Sequence, residues 1–272
     1  MKSILYERTK MINIIIPAYN CQATLGRTLS SLVAQTDTNF EVIVVDDCST
    51  EDIKSIVDDY SDKLSIVYIR NEQNLGCGMS RQVGIDNATQ KFITFLDSDD
   101  MFMPYTVETF NATIEANPEI EYLHTPFYEQ IIVEGNPAIF LWKDNYTACH
   151  GKLYNVDLIR KHGIRNSPSI RWADDSFFNS MCSELMHMTV INIPTVLWTN
   201  NKDSIMRRQD PERDAATKDD FLNAMLLSAE FVTARKGYVE HLQNTVESMT
   251  KNITLNENEA KKLNLLLKYI RR

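Results

Sequence analysis

An α/β fold around a mostly parallel sheet is predicted, and three observations predict it. Short runs rich in β-branched residues recur from Ile12 onward. Amphipathic stretches at helical spacing separate them. Acidic or polar clusters sit where the runs end.

The first run is Ile12–Pro17, ended by proline, and the second is Phe40–Asp46. Ser65–Arg70 and Lys91–Leu96 are the third and fourth. Runs this apolar fit strands buried on both faces, as in a parallel sheet. The predicted helices between and after them are Thr24–Gln35, Asp52–Tyr60, Gly78–Asn87 and Pro104–Asn117. Leu25, Leu29, Leu32 and Val33 recur at helical spacing. Pro104 is suited to a helix start and Asn117-Pro118 to a stop. Strand–helix alternation predicts βαβ units, whose ligands bind beyond the carboxyl ends of the strands.

After Glu121 the pattern changes. Tyr122–Val133 and Ala138–Trp142 read as a hairpin around Glu134-Gly135-Asn136-Pro137. Asn155–His162 reads as a short helix ended by Gly163, Asp174–Leu185 as another, and Val190–Leu197 as a late strand. Thr199–Asp214 is polar with three arginines and reads as a loop. Ala215–Arg272 is mostly helical, with Asn256 a plausible N-cap for the last helix.

The chain has 272 residues with 28 basic and 37 acidic side chains, a net charge of −9. That length is enough for one large domain or two small ones. The acidic balance gives no lead towards nucleic acid or an anionic membrane. The five cysteines are odd in number and form no CxxC, which argues against a disulfide framework or a Cys-rich zinc site. The first residues, MKSILYERTKM, lack the apolar core of a signal peptide, and no stretch approaches the ~20 apolar residues of a membrane span. A soluble, cytoplasmic protein is expected.

Pro17-Ala18-Tyr19-Asn20 follows the first strand, Asp46-Asp47-Cys48-Ser49-Thr50 the second and Asp97-Ser98-Asp99-Asp100 the fourth. In a parallel sheet these ends line one rim. Carboxylates gathered there repel one another and are costly to desolvate. A divalent cation resolves the cost, and carboxylate oxygens suit Mg²⁺ or Mn²⁺, which bridge protein carboxylates to substrate phosphates. Asp and Ser also favour ordinary turns, so one cluster alone would mean little.

Four stretches occur in the order and spacing of a known family. They are IIIPAYN, VVDDCST, Asn74-Leu75-Gly76 followed by Ser80-Arg81-Gln82-Val83-Gly84-Ile85, and FLDSDD. Through them the chain resembles family 2 glycosyltransferases of the GT-A fold, over roughly Ile12 to Ile205. The resemblance implies a GT-A domain over residues 1–213, with a nucleotide-sugar half at about 11–118 and an acceptor half at about 119–213. A helical extension would occupy 214–272. It implies that Pro17, Tyr19 and Asp47 hold the nucleobase and ribose of a nucleotide-sugar donor, with Asn20, Asp46, Arg81 and Ser98 beside them. Asp97 and Asp99 would form the DxD motif. Asp99 is the implied metal ligand, and Asp97 binds the ribose or the metal's water shell. The implied cofactor is Mn²⁺ or Mg²⁺.

Downstream, Gly151-Lys152-Leu153-Tyr154 resembles the family's KL segment on the acceptor side. Trp172-Ala173-Asp174-Asp175 resembles its ED motif, with Asp174 in place of the commoner Glu. The implied catalytic base is Asp175, with Lys152, Trp172 and Asp174 on the acceptor side. Acids also favour helix starts through the dipole, so the residue types leave that alternative open. One base and one displacement imply inversion at the anomeric carbon. The implied donor is a UDP-sugar, since these are the family's commonest donors, carrying a hexosyl or N-acetylhexosaminyl group. The acceptor is expected to be a glycan or glycoconjugate.

One late segment departs from the pattern. Trp198–Arg207 resembles the family stretch where many members place a histidine ligand, but here Asn201, Lys202 and Asp203 stand there. Lys202, Arg207 or Arg208 could meet donor phosphates instead, or form a solvated basic loop. His150 could touch the acceptor or simply pack, and His162 suits a helix end. Trp142 and Trp172 could stack on a sugar or serve the core. The basic last helix leaves a peripheral membrane contact, a homo-oligomer interface or a solvated face open. Rival readings are a degenerate nucleotide-sugar-binding module and a transferase acting on a modified nucleic acid base. A nucleotidyltransferase is disfavoured, because PAYNCQAT is neither Gly-rich nor basic.

Overall fold

The computed structural model describes residues 11–131, 138–200, 219–228, 230, 231, 257, 260 and 261. The nucleotide-side strands are β1 (Ile12–Ala18), β2 (Phe40–Asp46), β3 (Ile66–Arg70) and β4 (Phe92–Phe95). Between them lie α1 (Leu25–Val33), α2 (Lys54–Asp58) and α3 (Cys77–Asn87). Then follow β5 (Met101–Phe102), α4 (Thr106–Ala116), β6 (Tyr122–His124), β7 (Phe127–Ile131) and β8 (Ile139–Lys143). The last elements are β9 (Lys152–Asn155), α5 (Val156–His162), α6 (Asp174–Leu185), β10 (Met188–Val190) and β11 (Val196–Asn200).

A seven-stranded sheet runs in the order β10-β6-β9-β4-β1-β2-β3. All its ladders are parallel except those of β9, which is antiparallel to both β4 and β6. The mostly parallel α/β sheet is the predicted fold class. Strands β1, β2 and β4 alternate their apolar residues between two cores, which is why the runs read as continuously hydrophobic, while β3 at the sheet's edge is only partly buried. Ile15, Ile43, Val45, Ile93 and Phe95 face α3, α5 and α6. Ile12, Ile14, Ile16, Val42 and Val44 face Leu25, Leu29 and Leu32 of α1 and Val107, Phe110 and Ile114 of α4.

Helix α3 lies close on β1 because residue 84 is glycine. A Cβ there would stand 2.3 Å from Ile15 Cγ2, and Ile15 is fully buried. Gly84→Ala is expected to cost about 1–3 kcal/mol through overpacking. The loss would be read as a lower urea midpoint.

Two expectations for the second half need correction. Tyr122–Val133 is not one strand: β6 and β7 belong to different sheets, and the chain crosses between them at Thr125-Pro126. Val190–Leu197 likewise divides into β10 in the large sheet and β11 in a second, four-stranded sheet of order β5-β11-β7-β8. The hairpin itself is present, as β7 and β8 pair antiparallel. Its turn lies outside the described residues. So do Asn256 and most of the expected C-terminal helices, although 219–228 is helical. Among the described residues no helix is long and apolar enough to cross a membrane, and the five cysteines are free thiols.

Beyond β4 the chain continues on the other side of β1 from β2, so the carboxyl ends of β1, β2 and β4 form the crevice where this class of sheet binds ligands. Strand β9 runs the opposite way, and its amino end therefore opens onto that same rim. This brings residues 149–151 beside Asp97–Asp100.

Candidate functional site

The loops after β1 and β2 are built around two buried carboxylates. Asp46 sits opposite Arg70 in the β2–β3 register, is 0% exposed and pairs with that guanidinium. It also accepts from the Tyr68 hydroxyl at 2.5 Å and from Ser49 N at 2.8 Å. Burial pushes its carboxyl up, but the bonds from Ser49 and Tyr68 and the Arg70 charge outweigh burial and hold it below the ordinary range. Arg70 donates as well to Ser49 O at 2.7 Å, so this cluster shapes the loop.

Asp47 Oδ1 accepts from Asn71 Nδ2 at 2.9 Å and Leu75 N at 2.8 Å, and its Oδ2 accepts from Gly76 N at 2.8 Å. It thereby holds the turn that starts α3, where Gly76 has a φ of 87°. Asn20 adopts a left-handed φ of 48°, which asparagine tolerates, and its Oδ1 accepts from Thr50 N at 2.9 Å. Of the residues expected at the donor base and ribose, Tyr19 and Asn20 face solvent at the rim. Pro17 is buried within β1, and the carboxylates of Asp46 and Asp47 are turned into the protein.

The segment after β4 is held by α1. Arg27 Nη2 donates to Asp99 O at 2.8 Å, and the Thr28 hydroxyl lies 3.0 and 2.8 Å from the carbonyls of Ser98 and Asp100. Asp97 Oδ1 accepts from Arg81 Nη2 at 2.7 Å. Asp100 is 0% exposed; its Oδ1 accepts from Thr199 N at 2.8 Å and its Oδ2 lies 2.9 Å from His150 Nε2. Burial, with the charges of Asp100 and Asp97 beside it, pushes the Asp99 carboxyl up to about 7.

Arg81 joins this segment to the start of α6. Its Nη1 pairs with Asp174 and lies 2.6 Å from Asp175 Oδ1. The approach of α6 to α3 depends on Gly78, where a Cβ would stand 2.6 Å from Asp174 Cβ. Asp175 Oδ2 accepts from Cys149 N at 3.1 Å. Burial pushes Asp175 up, but the charges of Arg81 and His150 and the Cys149 N–H outweigh burial and hold it below the ordinary range. Asp174 is pushed up to about 7, burial outweighing the Arg81 charge.

Lys152, expected on the acceptor side, is fully buried. Its ammonium donates to Asn145 O at 2.9 Å and so ties down the loop ahead of β9, and burial lowers it to about 8. Trp172 is partly buried under the Arg171 guanidinium, and its backbone N–H donates to Asp220 Oδ2 at 2.7 Å.

The sequence reading underweighted His150. Asp97, Asp100 and His150 offer ligand atoms that all lie within 4.8 Å of one another. This group contains Asp97 but not Asp99, the ligand implied by the resemblance. The donor set suits a divalent cation, since carboxylate oxygens and imidazole nitrogen both bind Mn²⁺ well. The raised Asp99 carboxyl marks an excess of negative charge that such a cation would offset. Asn201, Lys202, Asp203, Arg207 and Arg208 lie outside the described residues.

The sequence profile of Glycosyl transferase family 2 matches residues 13–165, more than half of the chain. An uncharacterized glycosyltransferase of Haemophilus influenzae is 42% identical over 125 residues, covering 46% of this chain and 42% of that one. The poly(ribitol-phosphate) β-N-acetylglucosaminyltransferase TarS of Staphylococcus aureus is 30% identical over 178 residues, covering 61% of this chain and 31% of TarS. The chain thus spans less than half the length of these two relatives. Among solved structures, S. aureus TarS 1–349 with UDP-GlcNAc superposes with a TM-score of 0.70 at 23% identity, over 95% of this chain and 71% of that one. A Pyrobaculum calidifontis mannosyltransferase with GDP-Man and Mn²⁺ superposes with a TM-score of 0.57 at 13% identity, over 97% of this chain and 86% of that one. At these identities the structural likeness speaks for a shared GT-A fold.

Proposed function

The chain belongs to glycosyl transferase family 2, and from that membership we propose that it is an inverting glycosyltransferase that moves a sugar from a UDP-sugar to a hydroxyl of a glycan or glycoconjugate. The observation that carries this reading is the Arg81 guanidinium, which ties Asp97 of the DxD segment to both acids at the start of α6. The segment we assign to the donor phosphates and the candidate base are thereby joined through one guanidinium. The likeness to TarS, an N-acetylglucosaminyltransferase, favours an N-acetylglucosaminyl donor.

In this mechanism the donor base and ribose lie over Tyr19 and Asn20. The backbone around them is fixed by Asp46 and Asp47, whose carboxylates act on loop shape. Residues 97–100 face the diphosphate. Asp97, Asp100 and His150 would hold a divalent cation at this segment, which would supply positive charge against that developing on the leaving diphosphate. The acceptor hydroxyl, a weak nucleophile near neutral pH, gives its proton to Asp175 as the new bond forms. The Cys149 N–H and Arg81 orient that carboxylate. No second carboxylate is assigned to a covalent intermediate, so a single displacement inverts the anomeric carbon.

The test is a thermal-shift and calorimetric screen of UDP, UDP-GlcNAc, UDP-glucose and GDP-mannose, each with and without Mn²⁺. Metal-dependent stabilisation by UDP and its sugars is expected, about 2.7 kcal/mol at a ligand concentration of about 100 times Kd. A larger effect of UDP-GlcNAc than of UDP-glucose would fix the sugar class. Stabilisation by GDP-mannose alone would replace the donor. Binding with neither transfer nor donor hydrolysis would replace the enzyme reading by that of a binding module.

A further inference from the structure

We infer that His150 is an inner-sphere ligand, with Asp97 and Asp100, of a divalent cation at this rim. The inference rests on the metal-assisted reading above and names the ligands.

Each carboxylate has one oxygen anchored to the protein and the other turned towards the imidazole. Asp97 Oδ1 accepts from Arg81 at 2.7 Å while its Oδ2 lies 3.8 Å from His150 Nε2. Asp100 Oδ1 accepts from Thr199 N at 2.8 Å while its Oδ2 lies 2.9 Å from the same nitrogen. Octahedral ligands at about 2.1 Å from an ion stand about 3 Å apart when cis and a little over 4 Å when trans. The two separations from Nε2 fall in that span and all three ligand atoms lie within 4.8 Å of one another, so an ion needs only a small closing of its ligands.

The imidazole is also held for this task. Its ring packs against Phe127 at 5.1 Å between centroids and against Trp198 at 5.9 Å, which fixes the direction of Nε2. Strand β9 supplies the backbone position, because its antiparallel course brings its amino end to the carboxyl rim. Charge supplies the need. Among the described ion pairs Asp97, Asp100, Asp174 and Asp175 share only Arg81 and His150, with Asp99 beside them. A carboxylate–imidazole set is one that Mn²⁺ accepts readily, which makes this ion a suitable probe of the site.

The experiment is pulsed electron paramagnetic resonance of the full chain with stoichiometric Mn²⁺, with and without UDP. Electron spin-echo modulation from a directly bound ¹⁴N nucleus is expected. Labelling the wild-type histidines with ¹⁵N should convert that modulation, which needs no variant to fold. His150→Gln should abolish it and weaken Mn²⁺ binding at least about tenfold, while His187→Gln leaves it unchanged. Bound Mn²⁺ without nitrogen modulation, modulation that survives His150→Gln, or no Mn²⁺ binding by folded protein would each overturn the inference. His150 would then be a tie between the β9 loop and Asp100. Donor binding is measured on the same samples and separates the two readings. UDP binding without a nitrogen-ligated ion retains the transferase and removes this centre. A nitrogen-ligated ion without UDP binding does the reverse.

Discussion

Asp175→Asn is expected to lower kcat for sugar transfer by about 10²–10⁴-fold, the contribution of a positioned general base, while leaving UDP binding within a few-fold of wild type. Two adjacent acids compete for this role, and geometry favours the second. The Asp175 side chain is 29% exposed, against 11% for Asp174, so an acceptor hydroxyl has a path to it. One oxygen of Asp175 is steadied by the Cys149 N–H and the other by Arg81. Its charged form is held by Arg81 and His150 against burial, so it is ionised at neutral pH. Asp174, pushed up to about 7, is the better matched in basicity but is buried behind the guanidinium. The pH profile separates them. With Asp175 as base, kcat/KM loses its acid limb only below the ordinary carboxylate range. With Asp174 as base, the limb lies near 7 and disappears in Asp174→Asn. An Asp175→Asn variant that transfers at the wild-type rate would place the base elsewhere.

How much of this was legible in the sequence depends on whether a feature was local. The strands β1, β2 and β4 were, because each is buried on both faces and bounded by turn residues, so its apolar run carries its own signal; β3, at the sheet's edge and only partly buried, showed through its β-branched residues alone. Helix α5 was also legible: Asn155 caps it through the N–H groups of Asp157 and Leu158, and Gly163 ends it with a φ of 67°. The crossing between sheets after His124 was not. Tyr122–Val133 has the apolar content of one strand, and Pro126, which cannot donate to a ladder, is its one local sign.

The candidate site divides in the same way. Five aspartates at the strand ends look alike as residue types, yet their surroundings differ. Asp46 is matched by Arg70 and Asp47 by backbone N–H groups, whereas Asp97, Asp99 and Asp100 remain crowded together. Those partners come from β3 and the turn before α3, 22 to 29 residues away, a separation no local pattern marks. His150 was discounted for the same reason. Its place beside Asp97 and Asp100 follows from the insertion of β9 between β4 and β6, and KLYN is too short a run to announce that pairing.

Arg81→Met is expected to be the most damaging single change to stability, at about 3–5 kcal/mol, because it breaks a buried ion cluster from one side. The guanidinium is 3% exposed, bonds three carboxylates and lies 5.7 Å from the centre of the Phe95 ring. Methionine fills the volume but leaves Asp97, Asp174 and Asp175 to repel one another in a water-poor site. Against a typical total of about 5–15 kcal/mol, the loss is large enough to see directly in urea denaturation. Its pH dependence identifies the cause. In the wild type Arg81 helps hold Asp175 below its ordinary value, so that stabilisation is present above about pH 4, the unfolded carboxylate pKa, and lost as pH falls through the folded value. In the variant, burial acts without the guanidinium and raises these carboxyls, so its stability falls as pH rises. The gap between the two proteins should therefore widen from about pH 4 to pH 7; a gap constant with pH would trace the loss to packing instead. Arg81→Lys keeps the charge but not the planar fork that reaches several acids at once, and should fall between the two. Since the same guanidinium orients Asp175 and Asp97, transfer in Arg81→Lys should drop further than its stability does. A variant that is folded yet slow would show that this residue aligns the site as well as holding it together.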